Sequence, residues 1–191
     1  MRKKNSNTRN KKTSKKNTWI ILITIWTFFL AVGFNFISEV LLTNRHILIS
    51  FIILLIIIFI GIFFDMIGIA VASTDLTPFN SMASNRVRGA KDAVDIVKNA
   101  SQVSNFCNDV VGDICGIISG ATSISIAYQL LTYYSILDIS FTIVILNGFV
   151  ASITVGGKAI GKNIALGNST EIVYKAGYII SIIKGIFGNK K

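Results

Sequence analysis

Residues 105–123 carry the side chains most able to do chemistry, inside an otherwise apolar stretch of the chain that reads NFCNDVVGDICGIISGATS. On a helix drawn at about 100° per residue, the polar and small residues of this stretch share one face, an arc of roughly 140°. The face offers two carboxylates one turn apart, two side-chain amides, and glycines spaced by four residues. Its members are Asn105, Asn108, Asp109, Gly112, Asp113, Gly116, Ser119, Gly120 and Ser123.

An ionised aspartate at the centre of a membrane helix costs about 2.5 to 3.5 kcal/mol, so Asp109 and Asp113 should face a partner, water or a cation. Oxygen ligands suit a hard cation such as Mg²⁺, which takes one or two carboxylates and keeps several waters. Asp65 is a third carboxylate within an apolar run, and Thr154 is a polar residue in a later one. The alternative interpretation is that Asp65 and Asp109 are hydrated near the inner interface, that the glycines are a packing seam, and that Thr154 bonds between helices.

Four apolar runs are available to position these groups, because the chain is rich in long hydrophobic stretches. Its 191 residues are 52% hydrophobic with a mean hydropathy of +0.64, which is too apolar for an ordinary soluble domain. The runs cover residues 18–42, 47–73, about 103–131 and about 139–160, against the roughly 20 residues that a membrane helix needs. A signal peptide is the alternative for the first run, but the apolar core of a signal peptide is shorter than this run. We predict an all-α membrane protein with about four transmembrane helices.

The distribution of basic residues predicts the orientation of these helices. Of the 19 Lys and Arg residues, eight precede the first run, four lie between runs two and three, six lie at or beyond the end of run four, and only Arg45 falls between runs one and two. Short loops rich in Lys and Arg stay cytoplasmic, so we predict a multi-pass plasma membrane protein with both termini in the cytoplasm. The net charge of +10 is interpreted as this topology signal, with basic tails attracted to anionic lipid, rather than as nucleic-acid binding.

Two amphipathic helices are predicted outside the spans. Pro78 ends the path of the second span, and a cytoplasmic helix then follows with an apolar stripe from Ala83 to Val97. Residues 171–187 form a helix that lies in the interface with lysines at its edges. The predicted organisation is a disordered basic cytoplasmic tail (1–17), an additional N-terminal transmembrane helix with its outer turn (18–46), a transmembrane domain (47–170), and an interfacial helix with a basic tail (171–191).

The order of these parts, over about two thirds of the chain, resembles the transmembrane domain of the CorB/CorC/CNNM family of Mg²⁺ and Co²⁺ transporters. The stretch FFDMIGIAVASTDLTPFNSMASNRVRGAKDA matches the family's apolar span, polar turn and cytoplasmic helix ending in G-A-K, and NASQVSNFCNDVVGDICGIISGAT matches its next span. The family's S-x-S-E in the first of these spans falls on Asp65, Ile67 and Gly68. Its G-E-x-x-P-K in the last span ends here at Lys158, with Thr154 at the Glu position and no proline.

The resemblance implies a CNNM-like domain over residues 47–170 that binds Mg²⁺ or Co²⁺ between its second, third and fourth spans, in a homodimer. The nucleotide-binding CBS modules that follow this domain in many members are not in these 191 residues, so a separate cytoplasmic regulatory chain would have to supply them. The expected metal ligands are Asp65, Asn105, Asn108, Asp109, Asp113 and Thr154.

Two further interpretations come from other classes of protein. A non-transporting membrane module with a degenerate ion site, acting as an anchor or assembly partner, is favoured by the altered family positions, whereas Asp109 and Asp113 favour transport. An intramembrane aspartyl protease needs aspartates on two different helices, and these two share one helix. Because no nucleophile, Cys/His pairing or phosphate loop indicates catalysis, we expect no enzymatic activity.

Overall fold

The computed structural model describes residues 21–33, 35–36, 47–133 and 138–188, and this part of the chain is almost entirely helical. The predicted disordered tail 1–17 and the outer turn at Arg45 lie outside the described residues. The elements are α1 (Ile21–Gly33), α2 (Ile47–Ser73), α3 (Thr77–Ser84), α4 (Ala90–Lys98), α5 (Ala100–Asn105), a π-helical segment (Phe106–Gly112), α6 (Asp113–Tyr133), α7 (Ile139–Gly167) and α8 (Ser169–Gly188).

Three helical stretches are long and apolar enough to cross a membrane. They are α2, the continuous stretch Ala100–Thr132 and α7, and they confirm the predicted all-α membrane fold. Helices satisfy their own backbone hydrogen bonds, which is why runs of isoleucine form them in lipid despite a modest intrinsic helix propensity. Helix α1 is apolar but shorter within the described residues, so the fourth crossing stays a prediction.

Helix α2 is the centre of the bundle and packs against both α6 and α7. The Oγ of Ser50, near the start of α2, donates a hydrogen bond to Oε1 of Gln129, near the end of α6, over 3.1 Å. This pairing of a start with an end makes α2 and α6 antiparallel. A core of four buried apolar side chains fills the space between the three helices: Leu54, Ile58, Ile126 and Val150.

Helices α3, α4 and α8 form a second layer at the end of the bundle where α2 terminates. Phe79 of α3 is fully buried there, with Val71 of α2 and Val173 of α8 in the same apolar cluster. The structure differs from the predicted single helix with its stripe from Ala83 to Val97. The chain turns between α3 and α4, where Arg86 has φ 57° and Gly89 has φ 82°, and left-handed residues cannot continue a right-handed helix.

Two glycines allow α4 and α8 to cross closely. A Cβ built on Gly177 would lie 2.7 Å from the backbone nitrogen of Ala93, and one on Gly89 would lie 2.6 Å from Cα of Tyr178. The guanidinium of Arg88 sits 5.7 Å from the centre of the Tyr178 ring, within range of a cation–π contact. The backbones of α4 and α8 therefore approach each other closely at these two glycines.

Charged groups on the outside of the layer reinforce this crossing. Lys184 Nζ of α8 donates a hydrogen bond to Oδ1 of Asp92 on α4 over 2.6 Å. The bond and the negative charge of Asp92 raise the pKa of Lys184 above its ordinary value. Because the Lys184 side chain is 65% exposed, the pair orients α8 more than it stabilises the fold.

Helix α8 confirms the predicted C-terminal amphipathic helix, which begins two residues earlier than expected. Of its predicted apolar face, Ile172, Ala176 and Ile180 pack against the α4 layer. Ile179 and Ile183 remain exposed on the same helix. One edge of the face is thus held by protein, and the other edge is free to meet the membrane surface, as an interfacial helix requires.

Candidate cation site within the helix bundle

The third span is interrupted by the π-helical segment Phe106–Gly112, which separates α5 from α6. A π-helix bonds each N–H to a carbonyl five residues back and is rare, appearing mostly as single turns that frequently occur at functional sites. The wider turn changes which side chains face the bundle. A projection that treats residues 105–123 as one uniform α-helix therefore fails across this segment.

The polar groups beside the π segment are the ion pair of Asp65 on α2 with Lys158 on α7 and the amide of Asn108, which faces α2 at Gly68. We call these three side chains the polar cluster. The Oδ1 atom of Asp65 is 3.5 Å from Nζ of Lys158, and the two side chains are 14% and 29% exposed, respectively. A tight ammonium–carboxylate hydrogen bond would be nearer 2.8 Å. The ion pair is therefore loose, and both of its members keep some access to water.

Asn108 contributes an oxygen without a partner to this cluster. Its Oδ1 atom is buried and has no hydrogen-bond partner in the structure. The side chain fits because Gly68 stands opposite it on α2, where a Cβ would overlap Oδ1 and lie 2.6 Å from Cγ. A buried polar atom left unpaired costs about 1 to 3 kcal/mol, so the site favours any cation or water that this oxygen would bind.

On the side of the third span, the residue nearest to the ion pair is Gly112, which has no side chain. A Cβ there would be 3.5 Å from Nζ of Lys158 and 3.8 Å from Oδ1 of Asp65. One turn earlier on α2, Gly61 allows a close approach to α6, because a Cβ on Gly61 would lie 2.8 Å from Cβ of Cys115. Small residues of this kind let membrane helices approach, and here they leave no side chain between the π segment and the ion pair.

The structure brings two of the six predicted site residues, Asp65 and Asn108, into this cluster. Asn105, Asp109 and Asp113 are exposed on the outer face of the third span. Thr154 is half-buried, and its Oγ1 donates to the carbonyl oxygen of Val150 in its own helix over 2.8 Å. Among the described residues, no three His, Cys, Asp or Glu side chains come together as a metal-binding group.

A second polar contact lies nearer the opposite end of the bundle. The Oγ of Ser123 on α6 donates to Oδ1 of Asn147 on α7, which joins the two helices through their side chains. Neither of these residues belongs to the cluster. The contact fixes the register of α6 against α7 and hence the height at which Lys158 meets Gly112.

Sequence reasoning missed Lys158 as a member of the cluster, because it was counted among the basic residues that mark the cytoplasmic side. A usable signal was present. Asp65 lies 18 residues after the start of α2, and Lys158 lies 19 residues after the start of α7. Since the second and fourth spans of a four-span chain run in the same direction, equal distances from their starts place two residues at equal depth.

Two members of the cluster carry oxygen atoms of the kinds that bind hard divalent cations. Asp65 supplies a carboxylate and Asn108 an amide oxygen, the two ligand types that Mg²⁺ accepts while it keeps several waters. Against this, the ammonium of Lys158 already neutralises Asp65, so a cation has to compete for the carboxylate.

Comparison of the chain with protein-family models, with curated proteins and with solved structures finds no match.

Proposed function

We propose that this membrane protein is of the CorB-like Mg²⁺/Co²⁺ transporter type and binds a divalent cation at the cluster of Asp65 and Asn108. The observation that carries the proposal is the π segment in the third span, whose Asn108 buries an unpaired Oδ1 against Gly68 of α2, three residues along that helix from the largely buried carboxylate of Asp65. Ionisable groups within a membrane span mark ion pathways as a rule, because their desolvation is otherwise unfavourable.

The depth of the cluster supports transport rather than surface binding. By helix rise, Asp65 lies about 27 Å from the start of α2, on the side of the second layer. An ion there is reached from that side, and passage to the other side needs α2, the third span and α7 to rearrange. We place that side in the cytoplasm of a plasma membrane protein, as the charge distribution predicts.

The outward-facing carboxylates have a separate role in this proposal. Asp109 and Asp113 are exposed on the third span and need water or protein around them. We propose that the chain is a homodimer, in which a second copy covers this face and the carboxylates attract cations to the neighbourhood of the cluster. A cytoplasmic regulatory chain and anionic lipid at the basic tails complete the proposed set of partners.

The proposal predicts a saturable stabilisation by divalent cations that depends on Asp65. Thermal unfolding of the detergent-purified full chain is followed while MgCl₂, CoCl₂ or CaCl₂ is added at constant ionic strength. A ligand at 100 times its dissociation constant stabilises the folded state by about 2.7 kcal/mol. We expect this gain with Mg²⁺ or Co²⁺ in the original chain and its loss in Asp65→Asn.

Two controls make this titration specific. Asp95→Asn removes the same charge at an exposed position of α4 and should keep the shift. The double variant Asp109→Asn, Asp113→Asn should also keep a saturable shift, because both side chains point away from the cluster. An equal shift in Asp65→Asn and the original chain would show that the ion binds elsewhere.

One observation favours a second candidate function, a non-transporting membrane module that serves as an anchor or assembly partner. Lys158 sits 3.5 Å from Asp65 and balances its charge without any ion. In such a module the ion pair and the glycine contacts would only hold three helices together. This candidate predicts no cation-dependent stabilisation at millimolar concentrations in the titration above.

A further inference from the structure

We propose that Lys158 is the specificity-determining residue of this cation site, a tethered cation that occupies the place of the ion at Asp65 and yields to divalent but not to monovalent ions. The inference rests on the proposed function and adds a competitor to it. Its basis is the position of the ammonium, 3.5 Å from Oδ1 of Asp65 and 3.5 Å from the point where Gly112 would carry a Cβ.

The charge balance of the cluster explains why an internal cation is present. A carboxylate 86% removed from water between membrane helices is unfavourable without a positive partner. The ammonium of Lys158 supplies one positive charge, which balances the negative charge of Asp65.

The same arrangement distinguishes ions by charge. A monovalent ion brings no more charge than the ammonium, and it has to leave its water and displace a group that cannot diffuse away. A divalent ion interacts twice as strongly with Asp65 and also repels the ammonium from the cluster. Competition by Lys158 thus weakens binding of all ions but selects against Na⁺ and K⁺.

The structure leaves Lys158 able to move aside. Its side chain is 29% exposed, so protein does not enclose it on every side. The wall beside the ammonium is Gly112, which has no side chain to hold it. Lysine also has a flexible four-carbon stem and a compact charge, unlike the rigid fork of arginine.

The test compares ion binding by the purified full chain with that of Lys158→Met, using isothermal titration with MgCl₂ and, separately, NaCl. We expect the dissociation constant for Mg²⁺ to fall at least tenfold in Lys158→Met, and Na⁺ to bind saturably where the original chain shows no saturable binding. Lys162→Met, at an exposed position one turn further along α7, should match the original chain with both ions.

Two further variants keep the test decisive if Lys158→Met folds poorly with Asp65 unpaired. Lys158→Arg keeps the positive charge, but the guanidinium can bind the Asp65 carboxylate through two hydrogen bonds at once. Mg²⁺ should therefore bind to this variant at least fivefold more weakly than to the original chain. The neutral double variant Asp65→Asn, Lys158→Met should fold without ions and bind neither Mg²⁺ nor Na⁺.

The outcomes separate the inference from the function on which it rests. If the original chain binds Mg²⁺ but Lys158→Met and Lys158→Arg bind it with the same dissociation constant, Lys158 is not a competitor and only the inference fails. If neither the original chain nor any variant binds Mg²⁺, the proposed function fails with it. Tighter Mg²⁺ binding together with new Na⁺ binding in Lys158→Met would establish the competition.

Discussion

Gly89→Ala is expected to lower the free energy of unfolding by about 2 to 5 kcal/mol. The residue has φ 82°, a left-handed conformation that costs a residue with a Cβ about 1 to 2 kcal/mol. The new Cβ would also lie 2.6 Å from Cα and 2.9 Å from N of Tyr178, and overpacking of this kind costs about 1 to 3 kcal/mol more. Because both contacts are to backbone, side-chain rotation cannot relieve them.

The measurement is thermal unfolding in detergent together with amide hydrogen exchange of α8, which should lose protection first. Gly185→Ala on α8 is the matched control, since nothing lies within 4 Å of its Cβ position. That substitution should raise stability by up to about 1 kcal/mol, because alanine favours a helix over glycine. Equal and small effects of both changes would show that α4 and α8 do not cross as the structure has them.

Gly68→Val is expected to abolish cation binding and to cost about 3 kcal/mol of stability, the upper part of the range for overpacked cores. Its Cβ would overlap Oδ1 of Asn108, so the amide must leave the place where its oxygen is buried and unpaired. Since α2 and the π segment pack against each other along this stretch, the helices would have to separate to admit two further methyl groups.

Mg²⁺-dependent stabilisation and the melting temperature without ions give the two readouts for this variant. Gly156→Val on α7 is the control, because nothing lies within 4 Å of its Cβ position. It should keep both the ion response and the stability of the original chain. An unchanged ion response in Gly68→Val would mean that Asn108 is not a ligand, whatever happens to the melting temperature.

The second layer and the cluster are mechanically connected through the end of α2. Ala70 and Val71 are fully buried in the apolar cluster that joins α2 to α4 and α8, and they lie two and three residues after Gly68. A change in the position of α8 therefore reaches the segment that carries Asp65 and Gly68. If the chain works as proposed, a partner that binds α8 would reach the polar cluster through this contact.

The spans were predictable from the sequence because hydropathy alone decides them. Residues 47–73 were expected as a run and form α2 with the same bounds. Residues 139–160 were expected as a span, and α7 extends seven residues beyond them, to Gly167. Gly161 does not end the helix, because it packs closely against Ile62 and Met66 of α2. Asp138, just before α7, caps it by accepting hydrogen bonds from the backbone N–H groups of Ser140 and Phe141.

The polar cluster was only half predictable, and the reason is the π segment. A uniform projection placed Asn105, Asn108, Asp109 and Asp113 on one face, but the wider turn sends Asn108 toward α2 and leaves the other three exposed. No local sequence rule marks a π turn, since it arises from the balance of packing against α2 and α7. Lys158 could have been assigned to the cluster only by combining its depth with the direction of its span.

The pattern of apolar residues also did not predict the break between α3 and α4. The stripe from Ala83 to Val97 continues through it at helical spacing, while the backbone turns at Arg86 and Gly89. Gly89 was the available sign, because glycine is the residue that adopts a positive φ without strain. What fixes the turn is tertiary, namely the close approach of Tyr178 to that glycine.

Flux of Mg²⁺ into liposomes that contain the purified chain tests the central claim most directly, with a Mg²⁺-sensitive dye enclosed and Asp65→Asn and Asp95→Asn measured beside the original. The account predicts a saturable Mg²⁺ flux in the original chain and in Asp95→Asn, and background flux in Asp65→Asn. A flux in Asp65→Asn equal to that of the original would contradict the assignment of the ion path to the cluster. Background flux in all three would contradict transport by the chain itself.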